Sequence, residues 1–156
     1  MKYKDKIICF ASSSGGHFEQ LMMLKPLMKK YPRSFIVTEK TDYKVYSDIN
    51  IEYMCQVNRK QILFFIYLII NFIISFFIIL RKKPDVIICT GALSMIPMCL
   101  VSKLFGAKLI FIESFAKINS PTLTGKFLYK YADVFYVQWE TMKKFYPEAI
   151  FLGGIY

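Results

Sequence analysis

The stretch Lys6-Ile7-Ile8-Cys9-Phe10-Ala11-Ser12-Ser13-Ser14-Gly15-Gly16-His17 decides the fold of this chain. Its first half is a short apolar run, which is typical of a strand buried on both faces of a parallel sheet. Serines and glycines follow at once, and a helical pattern covers residues 18–30. Glycines between a strand and a helix let the backbone approach a ligand, and the helix offers free N–H groups to a phosphate. The stretch therefore predicts an α/β fold with a loop that can bind an anion.

Short apolar runs and helical segments alternate along nearly all of the 156 residues. This alternation predicts an α/β fold with a parallel sheet that has helices on both faces, and we expect residues 1–156 to form a single domain. The other predicted strands are residues 34–38, 51–54, 86–90, 108–112, 134–137 and 150–152, and the other predicted helices are residues 94–105, 122–131 and 139–145. Residues 39–50 are polar and fit either a loop or a helix.

Residues 61–80 are much more apolar than the rest of the chain. Residues 62–80 carry no charge, and cations flank them at Arg59-Lys60 and at Arg81-Lys82-Lys83. As a helix the segment is about 30 Å long, which matches the hydrocarbon core of a bilayer. A crossing would place the strands before and after it on opposite sides of the membrane, although we expect them in one sheet. We therefore favour a helix at or in the cytoplasmic leaflet, with a true span and a protein-buried helix as alternatives.

One face of this helix is expected to contact the protein. Tyr67, Asn71 and Ser75 recur every four residues and so lie on the same side. The other sides carry the residues that we expect to meet lipid, which are Ile62, Phe65, Ile69, Phe72, Phe76 and Ile79.

Composition favours a membrane surface over nucleic acid as the partner. The chain has 21 Lys and Arg against 11 acidic residues, a net charge of +10, and 55% apolar residues. Nucleic-acid binders combine cations with exposed stacking aromatics and an ordinary interior. No apolar run near the N-terminus is long enough for a secretory signal, so a cytoplasmic location is expected. The four cysteines form no CxxC pair and His17 is the only histidine, so we expect reduced thiols, no metal site and no cofactor.

The loops that follow the strands at the carboxyl edge of the sheet are the predicted site, since ligands of open α/β sheets bind there. The candidate binding residues are Ser14, Gly15, Gly16, His17, Thr90, Gly91, Ser94 and Glu113. His17 could donate a hydrogen bond to a phosphate, accept a proton from a sugar hydroxyl, or only cap the loop. A carboxylate between apolar neighbours needs a partner, so Glu113 is either catalytic or paired, for instance with Lys117.

Two other interpretations of the glycine loop remain open. It could be a turn without a ligand. It could also belong to a dinucleotide-dependent enzyme with Glu39 as the ribose-binding acid, although neither the GxGxxG nor the Walker spacing is present.

Four runs together resemble the signature runs of one known family. They are Ala11-Ser12-Ser13-Ser14-Gly15-Gly16-His17, Pro84-Asp85-Val86-Ile87-Ile88-Cys89-Thr90-Gly91-Ala92, Phe111-Ile112-Glu113-Ser114-Phe115-Ala116 and Ala132-Asp133-Val134-Phe135-Tyr136-Val137-Gln138-Trp139-Glu140. The family is that of the membrane-anchor, acceptor-binding subunits of split UDP-sugar transferases, whose bacterial members serve capsular and exopolysaccharide synthesis. The family is similar to the N-terminal half of a GT-B glycosyltransferase. A complete enzyme of that fold consists of two Rossmann-like domains.

This resemblance implies a function that needs a second chain. The implied partner carries the UDP-sugar site, and the implied acceptor is a polyprenyl-diphosphate-linked saccharide at the cytoplasmic face of the cell membrane. Gly15, Gly16 and His17 would then approach the acceptor diphosphate or the reacting hydroxyl. The eukaryotic members have an N-terminal membrane helix, and here residues 61–80 would take its place by contact with membrane lipids. The alternatives are a single-chain dinucleotide-binding enzyme and a membrane-spanning structural or transport component.

Overall fold

The computed structural model describes residues 5–40, 49–58 and 62–156. The strands in these ranges form one sheet in the order β3-β2-β1-β4-β5-β6-β7, and every neighbouring pair is parallel. Their bounds are β1 Ile8–Ala11, β2 Phe35–Glu39, β3 Asn50–Met54, β4 Val86–Cys89, β5 Lys108–Ile112, β6 Val134–Val137 and β7 Ile150–Phe151. Each lies in or next to a predicted strand, because apolar runs of this length are long enough to be buried on both faces. Most of the undecided segment, residues 41–48, lies outside the described ranges.

Helices cover both faces of the sheet, which confirms the predicted fold class. Their bounds are α1 Gly16–Met22, α2 Lys25–Lys30, α3 Phe64–Lys82, α4 Ile96–Leu104 and α5 Leu123–Leu128. The strand order reverses at β1, so the right-handed crossover rule puts α1 and α2 on one face and α3, α4 and α5 on the other. Two apolar cores result, one on each side of the sheet.

Two helix predictions differ from the structure. The helix predicted over residues 18–30 is two helices that meet at Met23 and Leu24. Pro26 lies in the first turn of α2, where its missing N–H costs nothing, whereas inside one long helix it would break a hydrogen bond. The helix predicted over residues 139–145 is a 3₁₀ helix, Glu140–Lys144.

The apolar helix α3 packs on the protein through the expected face. Asn71 and Ser75 are fully buried, and Tyr67 is half-buried. The Asn71 side chain donates to the Cys55 carbonyl and accepts from the Cys55 N–H, both at 2.9 Å. Asn71 therefore ties α3 to the residue that follows β3.

Two residues predicted to meet lipid are placed differently. Ile79 is only 1% exposed and belongs to the core, because the helix turns this residue toward the sheet after Ser75, so that part of the prediction is wrong. Ile62 is exposed but precedes the helix, which begins at Phe64 and not at residue 61, a position outside the described ranges.

Most of α3 lies outside the core. By length and composition α3 can cross a membrane, and it is the one such helix in the part of the chain that the structure describes. Phe65, Ile69, Phe72 and Phe76 are exposed, as predicted for a lipid-facing surface. At its C-terminal end Arg81 and Lys82 form ion pairs with Glu52 of β3 at 2.6 and 3.3 Å.

Candidate functional site

The site lies where the strand order reverses. The chain leaves β1 toward β2 and leaves β4 toward β5, so the loops that follow β1 and β4 separate at the carboxyl edge of the sheet. A crevice at such a switch point is where open α/β sheets bind ligands. Both glycine-bearing loops that the sequence singles out border it.

Direct hydrogen bonds join the two loops. The Ser13 N–H donates to the Gly91 carbonyl at 2.7 Å, and the Thr90 hydroxyl donates to the His17 carbonyl at 2.9 Å. His17 Nδ1 lies 2.8 Å from the Thr90 carbonyl oxygen. The structure thus brings Thr90, Gly91 and His17 together, as the sequence predicts.

The contact with Thr90 defines the tautomer of His17. A carbonyl oxygen only accepts, so Nδ1 carries the proton and donates it. In the neutral imidazole Nε2 then has a free lone pair. His17 can therefore accept a hydrogen bond or a proton through Nε2 while Nδ1 holds the ring in place.

Gly91 makes this ring position possible. A β-carbon at Gly91 would lie 3.0 Å from two atoms of the imidazole, and the glycine has a φ of +105°, which L-residues rarely adopt. A side chain at Gly91 would displace His17.

The loop after β1 is open on its outer side. Gly15 and Gly16 are exposed, and a β-carbon on either would meet nothing within 4 Å. Ser14 lies on the β2 side, where its N–H and hydroxyl donate to Glu39 Oε2 at 3.2 and 2.8 Å. Glu39 is buried, so the carboxylate that a dinucleotide enzyme would offer to a ribose instead holds the loop.

A cavity of about 230 Å³ lies beside His17. Its walls come from both glycine loops and from the segment before and at the start of α5. The lining residues are His17, Gly91, Ala92, Lys117, Pro121, Thr122, Leu123 and Thr124. An imidazole, a lysine ammonium and two threonines suit a ligand that has hydroxyls and negative charge.

Glu113 is buried away from this cavity, and the predicted pairing with Lys117 is wrong. The carboxylate is 1% exposed and accepts hydrogen bonds from Ser114 N–H, Thr122 N–H and Thr122 Oγ1. It also accepts a 2.6 Å hydrogen bond from the Tyr146 hydroxyl. Thr122 is the N-cap of α5, so Glu113 stabilises the start of that helix, where partial positive charge favours an anion.

The charge of Glu113 affects its neighbours. Burial and the hydrogen bond to Glu113 raise the pKa of Tyr146 well above its ordinary value of 10.0, so the phenol stays protonated and continues to donate. Gly125 permits the close packing, since a β-carbon there would collide with the Glu113 carboxylate and lie 2.6 Å from the Tyr146 hydroxyl. Glu113 therefore holds Thr122 and the start of α5, which form part of the cavity wall.

Further hydrogen bonds hold the residues after β5. Gln20 of α1 and Gln138 both donate to the Glu113 carbonyl, at 3.2 and 2.8 Å. Trp139 Nε1 donates to the Phe115 carbonyl at 2.7 Å. The backbone that leads to Lys117 is thus fixed from both sides of the sheet.

The remaining polar groups are not arranged for metal ligation. Within the three described ranges no group of three His, Cys, Asp or Glu side chains could hold a metal ion. Cys9, Cys89 and Cys99 are buried free thiols, and burial raises the pKa of Cys9 and Cys99. Ser94 is buried at the start of the turn before α4, and its hydroxyl has no partner among the described residues.

Sequence reasoning missed part of the site. It did not single out Pro121, Thr122, Leu123 or Thr124, which line the cavity, or Tyr146, which bonds Glu113. One signal was present, because a threonine such as Thr122 at the expected start of a helix is typical of an N-cap.

The fold is shared with one half of larger proteins of known structure. MurG from Acinetobacter baumannii superimposes with a TM-score of 0.73 at 16% identity, over 87% of this chain and 42% of that one. The UDP-N-acetylglucosamine 2-epimerase of Rickettsia bellii gives 0.74 at 8% identity, over 97% of this chain and 45% of that one. The class that fold and site define is therefore a Rossmann-like half of a GT-B fold.

Sequence comparison identifies the family. Residues 8–155 match the Alg14-like oligosaccharide biosynthesis proteins, and the chain belongs to this family. It is 30% identical to the UDP-N-acetylglucosamine transferase subunit ALG14 of Candida albicans over 98% of this chain and 82% of that protein. The mouse protein of the same name is 36% identical over 52% of this chain. That match spans only 40% of the mouse protein.

Proposed function

We propose that this chain is the acceptor-binding and membrane-recruiting subunit of a two-chain glycosyltransferase. The enzyme would move a sugar from a UDP-sugar to a polyprenyl-diphosphate-linked saccharide at the cytoplasmic face of the cell membrane. In this proposal residues 1–156 act as one Rossmann-like domain, and a separate catalytic chain supplies the second domain with the UDP-sugar site. The relatives named as UDP-N-acetylglucosamine transferase subunits support N-acetylglucosamine as the sugar. The capsular or exopolysaccharide product rests on the sequence resemblance alone.

The observation that carries the proposal is the junction of the two glycine loops at the switch point. His17 is held through Nδ1 beside a cavity that also contains Lys117, while Gly15 and Gly16 leave open space over the adjoining loop. A diphosphate needs donors and positive charge, and a saccharide hydroxyl needs an acceptor for its proton. In the proposed roles Lys117 and the loop N–H groups bind the diphosphate, and His17 Nε2 faces the reacting hydroxyl.

The exposed surface of α3 supports membrane recruitment. A Phe or Ile side chain gains roughly 1.5–3 kcal/mol when it is fully removed from water. Phe65, Ile66, Ile69, Ile73 and Phe77 are all exposed along this helix. Lipid would cover them, and the protein would stay on one side of the bilayer because β3 and β4, which flank α3, belong to one sheet.

The variant Gly16→Trp tests the proposed loop. A β-carbon at Gly16 meets nothing within 4 Å, so the protein should fold, while the indole would fill the space over the loop. We expect sugar transfer to the lipid-linked acceptor to fall at least roughly a hundredfold, since misplacing a bound reactant by about 1 Å can cost that much. The measurement is transfer from radiolabelled UDP-N-acetylglucosamine in membranes that contain both chains, with Gly16→Ala as the matched control.

Three results would contradict this function. Normal transfer by membrane-bound Gly16→Trp would remove the loop from the site. Binding of NAD(P) by the purified chain, or sugar transfer without any second chain, would favour a self-sufficient enzyme.

A further inference from the structure

A second exposed apolar surface lies on α5 and the turn after it. Leu123, Phe127 and Tyr131 recur every four residues and so share one face. All three side chains are exposed, and Leu123 is 56% exposed. The rings of Phe127 and Tyr131 contact each other with their centroids 5.3 Å apart. Large apolar side chains that are exposed together indicate a contact surface. We call these three residues the α5 stripe.

The α5 stripe is on the same side of the sheet as the exposed surface of α3. The helices α3, α4 and α5 form one layer, in which α4 packs against α3. At the end of α4, Leu104 is 83% exposed, and the ring of Phe105 contacts that of Phe76 on α3. The apolar surface of α3 therefore continues onto α4 toward α5.

The charge of this layer points to one kind of occupant. The segments 64–82, 96–104 and 122–131 contain no acidic residue. Their cations are Arg81 and Lys82, which pair with Glu52, Lys103, which pairs with Asp133, and the two lysines of α5 and its following turn, Lys126 and Lys130. Protein interfaces are depleted in lysine, whereas an apolar surface flanked by lysines matches an anionic lipid leaflet. Lys126 and Lys130 are both exposed beside the α5 stripe.

We propose that the α5 stripe is a second membrane contact, separate from α3. Leu123, Phe127 and Tyr131 enter the headgroup region of an anionic leaflet, and Lys126 and Lys130 bind its phosphates. Leu123 also lines the cavity beside His17, so the mouth of that cavity meets the lipid surface. This step rests on the proposed function. A cavity mouth at the lipid surface lets the diphosphate of a polyprenyl-linked acceptor reach His17 while the polyprenyl chain stays in the membrane.

Charge reversal on α5 tests the contact. The double variant Lys126→Glu/Lys130→Glu should bind phosphatidylglycerol-containing phosphatidylcholine vesicles at least roughly tenfold more weakly, since each basic residue near an anionic surface contributes about a fivefold factor. The control Lys29→Glu/Lys30→Glu makes the same charge change on α2, on the opposite face of the sheet, and should bind like the wild type. Binding is measured by co-flotation at two salt concentrations.

Photo-crosslinking separates lipid from protein contacts at the same position. Phe127→benzoylphenylalanine should form lipid adducts in these vesicles and in cell membranes. The same replacement at Met23, which is exposed on the α1 and α2 face, should form none. A protein adduct at position 127 in cell membranes, or equal loss of binding in both charge-reversal variants, would overturn the proposal.

A failure of the α5 contact can be distinguished from a failure of membrane recruitment by α3. If Ile73→Asp/Phe77→Asp releases the protein from vesicles while Lys126→Glu/Lys130→Glu does not weaken binding, the α5 contact fails and the proposed recruitment by α3 stands. If the α3 variant stays bound with full affinity, recruitment by α3 itself fails.

Discussion

Tyr146 and Glu113 are 33 residues apart in the chain, yet their side chains form a 2.6 Å hydrogen bond inside the protein. The phenol is the one side-chain donor to this carboxylate besides Thr122 within the described ranges. A buried carboxylate that loses a donor retains its desolvation penalty without the compensating bond. The variant Tyr146→Phe should therefore lower the free energy of unfolding by about 1–3 kcal/mol. Urea unfolding at neutral pH in detergent measures this change.

The loss of stability caused by Tyr146→Phe should become smaller at high pH. The pKa of Tyr146 is raised in the folded state, so above pH 10.0 the unfolded chain loses this proton while the folded protein retains it. Stability from the phenol is thus fully present below that pH and is lost as pH rises above it. The difference in stability between wild type and Tyr146→Phe should stay constant up to about pH 10 and narrow between about pH 10 and about pH 12. A stability difference that stays constant over this pH range would show that the hydrogen bond to Glu113 does not keep the Tyr146 phenol protonated.

The partners of Glu113 show what sequence could not predict at the residue scale. That a carboxylate between apolar residues needs a partner was predictable, and so was its position at the end of β5. The choice of Lys117 was wrong because pairing by nearness in sequence ignores where α5 begins. Thr122 and Tyr146 reach Glu113 only after the sheet brings their segments together. The contact of His17 with Thr90 was predictable in outline, since both residues follow strands at the same edge.

At the scale of elements, α3 combines a lipid-like composition with a protein-bound face. Asn71 bonds both backbone groups of Cys55, whereas the hydroxyl of Ser75, one turn later on the same face, has no partner among the described residues. Asn71→Leu should therefore destabilise the protein by about 2–4 kcal/mol, since two buried backbone groups lose their bonds. Ser75→Ala should change stability by less than about 1 kcal/mol. Urea unfolding of the two variants in detergent makes the comparison.

Equal stability losses in Asn71→Leu and Ser75→Ala would contradict this account of α3.

The face of α3 that carries Asn71 and Ser75 was predictable, because these two polar residues lie four positions apart in an otherwise apolar helix. The burial of Ile79 was not, because α3 contacts the sheet closely only in its second half, where Ile78 and Ile79 join the core. The break at Pro26 was predictable in principle from the missing N–H of proline.

For the whole molecule, the single sheet implies that the segments before and after α3 lie on the same side of a membrane. β3 precedes α3 and β4 follows it, and β4 lies between β1 and β5 in the centre of the sheet. If α3 crossed a bilayer, β4 and everything after it would separate from β1, β2 and β3. That would break one parallel strand pairing of the described sheet, the β1–β4 ladder, and would divide the core around it. Hydropathy favours a span, but a span would give up the apolar burial that the two halves of the sheet share in this core.

Residues on both sides of α3 should therefore be accessible from the same face of the membrane. Lys30→Cys, before α3, and Lys143→Cys, after it, are exposed positions for a membrane-impermeant maleimide. In sealed inverted vesicles, which expose the cytoplasmic face, both variants should label without detergent, and in right-side-out vesicles neither should. The wild type is the control, because Cys9, Cys89 and Cys99 are buried and Cys55 is half-buried. Labelling of position 30 from one face and position 143 from the other would mean that α3 spans the bilayer and that the single sheet does not form in the cell.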